Sequence, residues 1–400
     1  MRLLPLVAAI WMTTAASAQD KQLAALHATL VGLHAAEPSY ESNGARPELT
    51  LAKHQLRDWI DAQLAPLDNA VDESALADRI NHELSAVSVA GAKDDQNLLG
   101  SLGEVRISRE PGLLITTTRV GILCQYDDSA YAYKFLNGHW QRIWESEQND
   151  YSPKMYAPQH IVAVHVWQRF KDGREEGPPF VLTLGHEWGC ASFWHPVHYR
   201  VWRVDSSGSI LLIDGSEFAY LRAGSFAVGS IGQDWPPDSP VDVLVEFTVM
   251  SIDAGAHSRE AIRHFLIAGA QVRRVDPVAL GPRDFVDEWL TRGWNESAGW
   301  SASPIMQQWH RKLYADFVAG RFIDATLHCR TPDLWQVTLE PHDAKKDFEP
   351  KPDVYFLVRW RPPYHFTMVN ISDKPWPRCT QEDPQADEWR TLFSTQEWRW

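Results

Sequence analysis

The residues best suited to chemistry crowd into one stretch, His186-Glu187-Trp188-Gly-Cys190-Ala-Ser-Phe-Trp194-His195-Pro-Val-His198. Imidazole and carboxylate side chains are good ligands for zinc and other divalent ions. His186, Glu187, His195 and His198 are therefore the candidate metal set, and metal-assisted hydrolysis is the chemistry they would serve. The spacing departs from HExxH, because residue 190 is Cys and the segment reads as strand and loop rather than helix. The plainer reading is an aromatic, His-bearing loop that packs or faces solvent.

Acidic residues form three further groups: Asp127-Asp128, then Glu145, Glu147 and Asp150, then Asp343, Asp347 and Glu349. Paired carboxylates across a cleft would suit glycoside hydrolysis. Solvated loop charges are the commoner explanation in an acidic chain. The patterns GxSxG, GxxxxGK[ST] and the EF-hand ligand loop do not occur.

Nineteen tryptophans are many for this length. Trp140, Trp144, Trp202 and Trp360 fall in expected strands, where packing explains them. Trp188, Trp194, Trp235, Trp294 and Trp300 fall in expected loops, where indoles can stack on sugar rings or anchor a protein partner. Of the four cysteines, Cys124 and Cys190 occupy near-equivalent points of neighbouring modules, a poor geometry for a bridge. Cys329 and Cys379 are the expected disulfide.

The elements that must position these residues repeat. Four first strands begin at Leu113, Phe180, Val243 and Leu334, each followed 17 to 19 residues later by a second strand, at Ala130, His198, Ala261 and Asp353. Spacing this steady indicates one supersecondary module used four times. Tyr131-Ala-Tyr133-Lys-Phe135 alternates, turns at Asn137-Gly138 and returns through Trp140 to Trp144, the strongest short hairpin signal. Leading strands at Glu104–Ser108, Ile161–Trp167, Phe218–Leu221 and Phe322–Leu327 complete four strands per module. In the third module, Ser258 to Gly269 also fits a helix; the module spacing favours a strand.

Helices flank and interrupt the modules. Leu23, Leu26, Leu30 and Leu33 make one apolar stripe, and Leu49, Leu56, Trp59 and Ile60 a second. Asp72 is placed to cap a third helix carrying Leu76, Ile80 and Leu84. An insertion carries Phe285, Val286, Trp289 and Leu290 after Pro282, then a helix from Ser303-Pro304 to Gly320. The expected organisation is a signal peptide at 1–18, helices at 19–95, modules one to three at 103–278, the insertion at 279–321, module four at 322–375 and a tail at 376–400.

Arg2, the apolar run Leu3 to Trp11 and Ala16-Ser17-Ala18 form a secretory signal cleaved near Ala18, which places the mature chain outside the cytoplasm, periplasmic or secreted. No later run reaches the roughly 20 apolar residues of a membrane helix. A composition 44% hydrophobic and 22% charged is that of a folded chain. A formal charge of −14 without a basic cluster sets nucleic acid aside as a partner. The fold class expected is mainly β, a propeller-like set of four strand modules with N-terminal helices and a helical insertion; a β-sandwich or open hairpin stack is the alternative. Two functions remain: a non-catalytic binding module for a saccharide, peptide or envelope partner, and a metal-assisted hydrolase using the histidine cluster.

Overall fold

The computed structural model describes residues 4–35, 47–89, 98–122, 125–149, 159–168, 170–171, 174–175, 177–187, 194–206, 208–229, 240–253, 258–275, 279, 281–315, 320–323, 326–343, 346, 349–361, 365–382 and 398–399. The chain is mainly β and divides into two units, Met1–Ser216 and Glu217–Trp400.

The first unit opens with helices α1 (Leu4–Ala35), α2 (Pro47–Leu64) and α3 (Glu73–Ser85). Asp72 caps α3, its carboxylate accepting from Ala75 N. Module one follows as β1 (Arg106–Glu110), β2 (Leu113–Ile122), β3 (Gln125–Leu136) and β4 (His139–Ser146), hydrogen-bonded in that order. Asn137 and Gly138 make the β3–β4 turn with φ of 54° and 85°, the pair of positive values that a tight two-residue hairpin requires.

Strand periodicity then decides what each face of this sheet meets. On one face, Leu114, Val120, Ile122, Tyr131 and Tyr133 bury against Leu26, Leu30, Leu56, Trp59, Ile80 and their helical neighbours. On the other, Leu113, Ile115, Ala130, Ala132 and Trp144 pack on Ile161, Val166, Val181, Trp202 and Val204 of module two. The helices therefore cap the β region. Modules one and two meet face to face, as neighbouring propeller blades do, and Trp144 and Trp202 make a T-shaped contact at 5.1 Å.

Module two comprises β5 (Gln159–Trp167), the short hairpin β6 (Phe170–Lys171) and β7 (Arg174–Glu175), β8 (Phe180–Glu187), β9 (Trp194–Asp205) and β10 (Gly208–Gly229). Its sheet runs β5-β8-β9-β10, with β5 at the edge. The leading strand expected at Phe218–Leu221 has no separate existence. It is part of the long β10, whose later residues pair with the next strand and shift register between Ala219 and Gly224.

In the second unit, β11 (Val241–Met250), β12 (Ser258–Ala268) and β13 (Gln271–Val275) form the antiparallel meander of module three. The ambiguous Ser258 segment is a strand, paired with β11 from Val241↔Ile267 to Met250↔Ser258. Gly269, at φ 62°, supplies a turn rather than a helix stop. The insertion folds as α4 (Pro282–Thr291), α5 (Trp294–Ser297), a 3-10 turn at Ala298–Trp300 and α6 (Met306–Ala315). The last helix starts at Met306 rather than at Ser303-Pro304.

Module four contains β14 (Gly320–Phe322), β15 (Leu327–Cys329), β16 (Leu334–Asp343), β17 (Glu349–Pro350), β18 (Val354–Arg361), β19 (His365–Ser372) and β20 (Cys379–Glu382). The leading strand expected at Phe322–Leu327 is split into β14 and β15, both paired with β16. A last strand, β21 (Trp398–Arg399), pairs with Phe226 and Ser225 of β10. Phe285, Val286, Trp289 and Leu290 of α4 bury against Val337, Phe356, Val358, Phe366 and Met368, at about 1.5–3 kcal/mol for each large side chain. None of the described helices is long and apolar enough to cross a membrane.

Candidate functional site

The histidine-bearing stretch lies on adjacent strands of module two. His186 and Glu187 end β8, and β9 carries His198 opposite Gly185. Neighbours in a strand project to opposite faces, so His186 and Glu187 separate. Glu187 joins His198, whose Nε2 lies 2.8 Å from Glu187 Oε1. His186 instead stacks edge-on with His160 of β5, ring centroids 4.7 Å apart, and its Nδ1 lies 2.9 Å from the Glu187 carbonyl oxygen. His195 is within β9, but its side chain lies outside the described residues. Among the described residues, no three His, Cys, Asp or Glu side chains form a group able to hold a metal ion.

Around Glu187 and His198 the strands assemble a polar fan. Arg200 Nε donates to Asp214 Oδ1 at 2.8 Å, and Arg200 Nη1 donates to Gln159 Oε1 at 3.1 Å. Gln159 Nε2 donates in turn to Ser146 Oγ of module one at 3.1 Å. The register makes the geometry: Gln159 faces Glu187 across β5 and β8, and Thr183 faces Arg200 across β8 and β9. These side chains therefore share one sheet face. Exposure runs from 25% at His198 to 55% at Asp214, so the fan is open to a ligand as well as internally bonded.

Asp127 and Asp128 are not solvated loop charges. They lie inside β3 and are buried, one toward each face of the sheet. Asp127 Oδ2 meets Lys53 Nζ at 3.3 Å in a fully buried ion pair, and its Oδ1 accepts from Gln159 N at 3.3 Å. Asp128 Oδ2 accepts from Ile161 N at 3.1 Å and lies 2.7 Å from His160 Nδ1, while Arg119 Nε donates to Oδ1 at 3.1 Å. Gln159 and Ile161 belong to the edge strand β5. The two carboxylates thus take N–H groups that an edge strand otherwise leaves unpaired, each worth about 1–3 kcal/mol when buried.

A second polar patch joins α2 to β3 and β4. Glu147 is buried, lies 2.9 Å from His54 Nε2 and accepts from the Tyr131 hydroxyl at 2.6 Å. The Tyr133 hydroxyl donates to Asp61 at 2.8 Å. Burial pushes the Asp61 carboxyl above its ordinary range, against the opposing pull of Tyr133 and Arg142. Burial and the carboxylates they serve also hold both tyrosine hydroxyls well above their usual range.

The loop tryptophans fare differently. Trp188 and Trp235 lie outside the described residues, as does the side chain of Trp194. Trp300, expected in an open loop, closes the 3-10 turn and is 4% exposed beside Phe285. Trp294 sits in α5 against Trp289, centroids 6.4 Å apart. Both belong to the packing of the insertion, because the short helices turn their indoles inward. Cys329 and Cys379 stand opposite each other on β15 and β20 and are joined by a disulfide; Cys124 and Cys190 lie outside the described residues.

Sequence reasoning passed over Lys53 and His160 and the burial of Asp127, Asp128 and Glu147. One signal was present. Lys53 interrupts the apolar stripe Leu49, Leu56, Ile60 at helical spacing, which announces a buried cation in need of a partner.

No family model matches this chain, and no curated protein matches it. Among solved structures it is similar to a thermostable family-43 glycoside hydrolase, at 9% identity and TM-score 0.23, with 70% of this chain and 79% of the other covered. It is also similar to an endo-arabinase from Bacteroides thetaiotaomicron VPI-5482, at 10% identity and TM-score 0.20, covering 72% and 82%. A further glycoside hydrolase covers 84% of this chain and 99% of its own, at 9% identity and TM-score 0.21. At identities and TM-scores this low the likeness carries no argument.

Proposed function

We propose that this chain is an exported, non-catalytic binding module that takes a saccharide at the polar fan of module two. The observation that carries the reading is the fan itself. Gln159, Glu187, His198, Arg200 and Asp214 present donors and acceptors side by side on neighbouring strands while remaining partly exposed. Convergent, pre-positioned polar groups of this kind fix the orientation of a hydroxyl-rich ligand. Trp188 and Trp194 adjoin Glu187 and open β9 in the sequence, and would supply stacking faces for sugar rings. Export rests on the segment from Arg2 to Ala18. Titration calorimetry of the chain from Gln19 onward against soluble glycans tests the proposal. Binding that weakens at least tenfold in both Arg200→Ala and His198→Ala supports it; unchanged affinity in both removes it.

A second reading is favoured by the Glu187–His198 contact alone. A carboxylate and an imidazole 2.8 Å apart are a usable acid–base pair or two metal ligands. In that reading His186, Glu187, His195 and His198 serve a metal-assisted hydrolase. It requires chelator-sensitive turnover that disappears in His195→Ala/His198→Ala.

A further inference from the structure

We infer that Asn137, at the tip of the β3–β4 hairpin, is a self-modification site: its side-chain amide is lost through a cyclic imide, in a reaction that His139 accelerates. The turn sets the reacting groups side by side and in the open. Asn137 and Gly138 are both exposed, with φ of 54° and 85°. The hairpin closes between Leu136 and His139, so the Gly138 N–H lies outside the ladder. A β-carbon built on Gly138 would meet nothing within 4 Å. The nitrogen is therefore approachable, and a ring can form there without displacing a neighbour.

Ring closure uses Gly138 N as the nucleophile, so the proton on that nitrogen must leave. The negative charge this creates is shared with the carbonyl oxygen of Asn137, because both atoms belong to one conjugated peptide group. His139 Nδ1 lies 3.3 Å from that oxygen. Gln141 Nε2 donates to His139 Nε2, which keeps the ring proton on Nδ1, where it is directed at the Asn137 oxygen. A donor placed where charge develops lowers the barrier, and its bond tightens as the charge grows. Gly138 N then bonds to Asn137 Cγ, the Cγ–Nδ2 bond breaks, and ammonia leaves with the proton. Water opens the imide at either carbonyl to give aspartate or isoaspartate, and no other reactant takes part. The isoaspartyl form adds one backbone carbon to a two-residue turn whose length fixes the register of β3 against β4. The reaction involves no residue of the polar fan.

The test incubates the folded chain from Gln19 onward at mildly alkaline pH and follows conversion at residue 137 by peptide mapping and mass spectrometry. A synthetic peptide of residues 132–142 has the same sequence without the fixed turn and serves as the reference. The expected result is faster conversion in the folded chain than in the peptide. His139→Ala should slow the folded chain about tenfold, the size of one hydrogen bond to an ionised group. Gln141→Leu should also slow it, yet add nothing in a His139→Ala background, because Gln141 acts only through the imidazole. A folded chain that converts no faster than the peptide overturns the inference. So does an unchanged rate in His139→Ala, or a Gln141→Leu effect that persists once His139 is gone.

Discussion

The two units bury charge in different ways. In the first, the buried carboxylates Asp127, Asp128 and Glu147 each have their own cationic partner, Lys53, Arg119 and Arg57, together with backbone N–H groups of β5, a hydroxyl and imidazoles. In the second, three arginines and three acids form a closed network. Glu288 of α4 is paired with Arg259, with Arg263 at 3.1 Å and with Arg292 at 2.8 Å. Glu217 takes Arg263 and Arg292, and Asp287 takes Arg259 at 2.6 Å together with Ser251 Oγ and Ile252 N. The first arrangement seals a sheet edge. The second nails an inserted helix to module three.

The difference also shows in protonation. Surrounded by guanidinium groups, Glu288 is held at about 2 although burial opposes ionisation, and Glu217 is held below its ordinary range for the same reason. In the first unit burial pushes Asp61 and Glu110 the other way, upward. Charge density on the partner side, rather than burial itself, decides the sign.

The largest break in this contrast is Glu288→Ala. It leaves three arginines without their shared anion and should cost about 5 kcal/mol, read as a lower urea midpoint for the second unit. Reducing Cys329–Cys379, which spans 50 residues, should cost the same unit about 4 kcal/mol in matched oxidised and reduced melts. Lys53→Met should cost the first unit about 3 kcal/mol. Adding Asp127→Asn should recover part of that loss, because the orphaned charge is then gone, and the non-additivity measures the pair.

Acidification should separate the units by sign. Glu288 has a depressed folded value, so its stabilisation is complete above the ordinary 4.5 and fades as pH falls toward about 2. Asp61 and Glu110 have raised folded values, so the first unit gains from them as pH falls from neutral toward the ordinary carboxylate range. Melts at pH 7, 5 and 3 should show the second unit losing ground only in the last step; a loss already at pH 5 would contradict the network. The smallest effect is Asp72→Ala, about 1 kcal/mol from the lost cap of α3, seen as a shift in thermal midpoint.

Much of the fold was legible because it follows local rules. The leucine stripes, the Asp72 cap, the Asn137-Gly138 turn and the apolar face of α4 each depend on residues within a few positions of one another. What was illegible depends on distance in the chain. Nothing near Phe218 says that β10 runs on from Gly208, and nothing near Phe322 says that β14 and β15 will share β16. The acidic face of α4 reads as solvent-facing until Arg259 and Arg263 arrive from β12. The site was legible as a cluster of residue types, but strand parity, which sends His186 away from Glu187 and brings His198 to it, needed the register.

The proposed activity is binding without turnover at the polar fan. The most direct measurement incubates the chain from Gln19 onward with the glycan it binds and follows that glycan by mass spectrometry, with and without added divalent metal and chelator. The expected result is glycan recovered intact in every condition while calorimetry shows Arg200-dependent binding. Cleaved product that requires metal and vanishes in His195→Ala/His198→Ala would contradict it and establish the hydrolase.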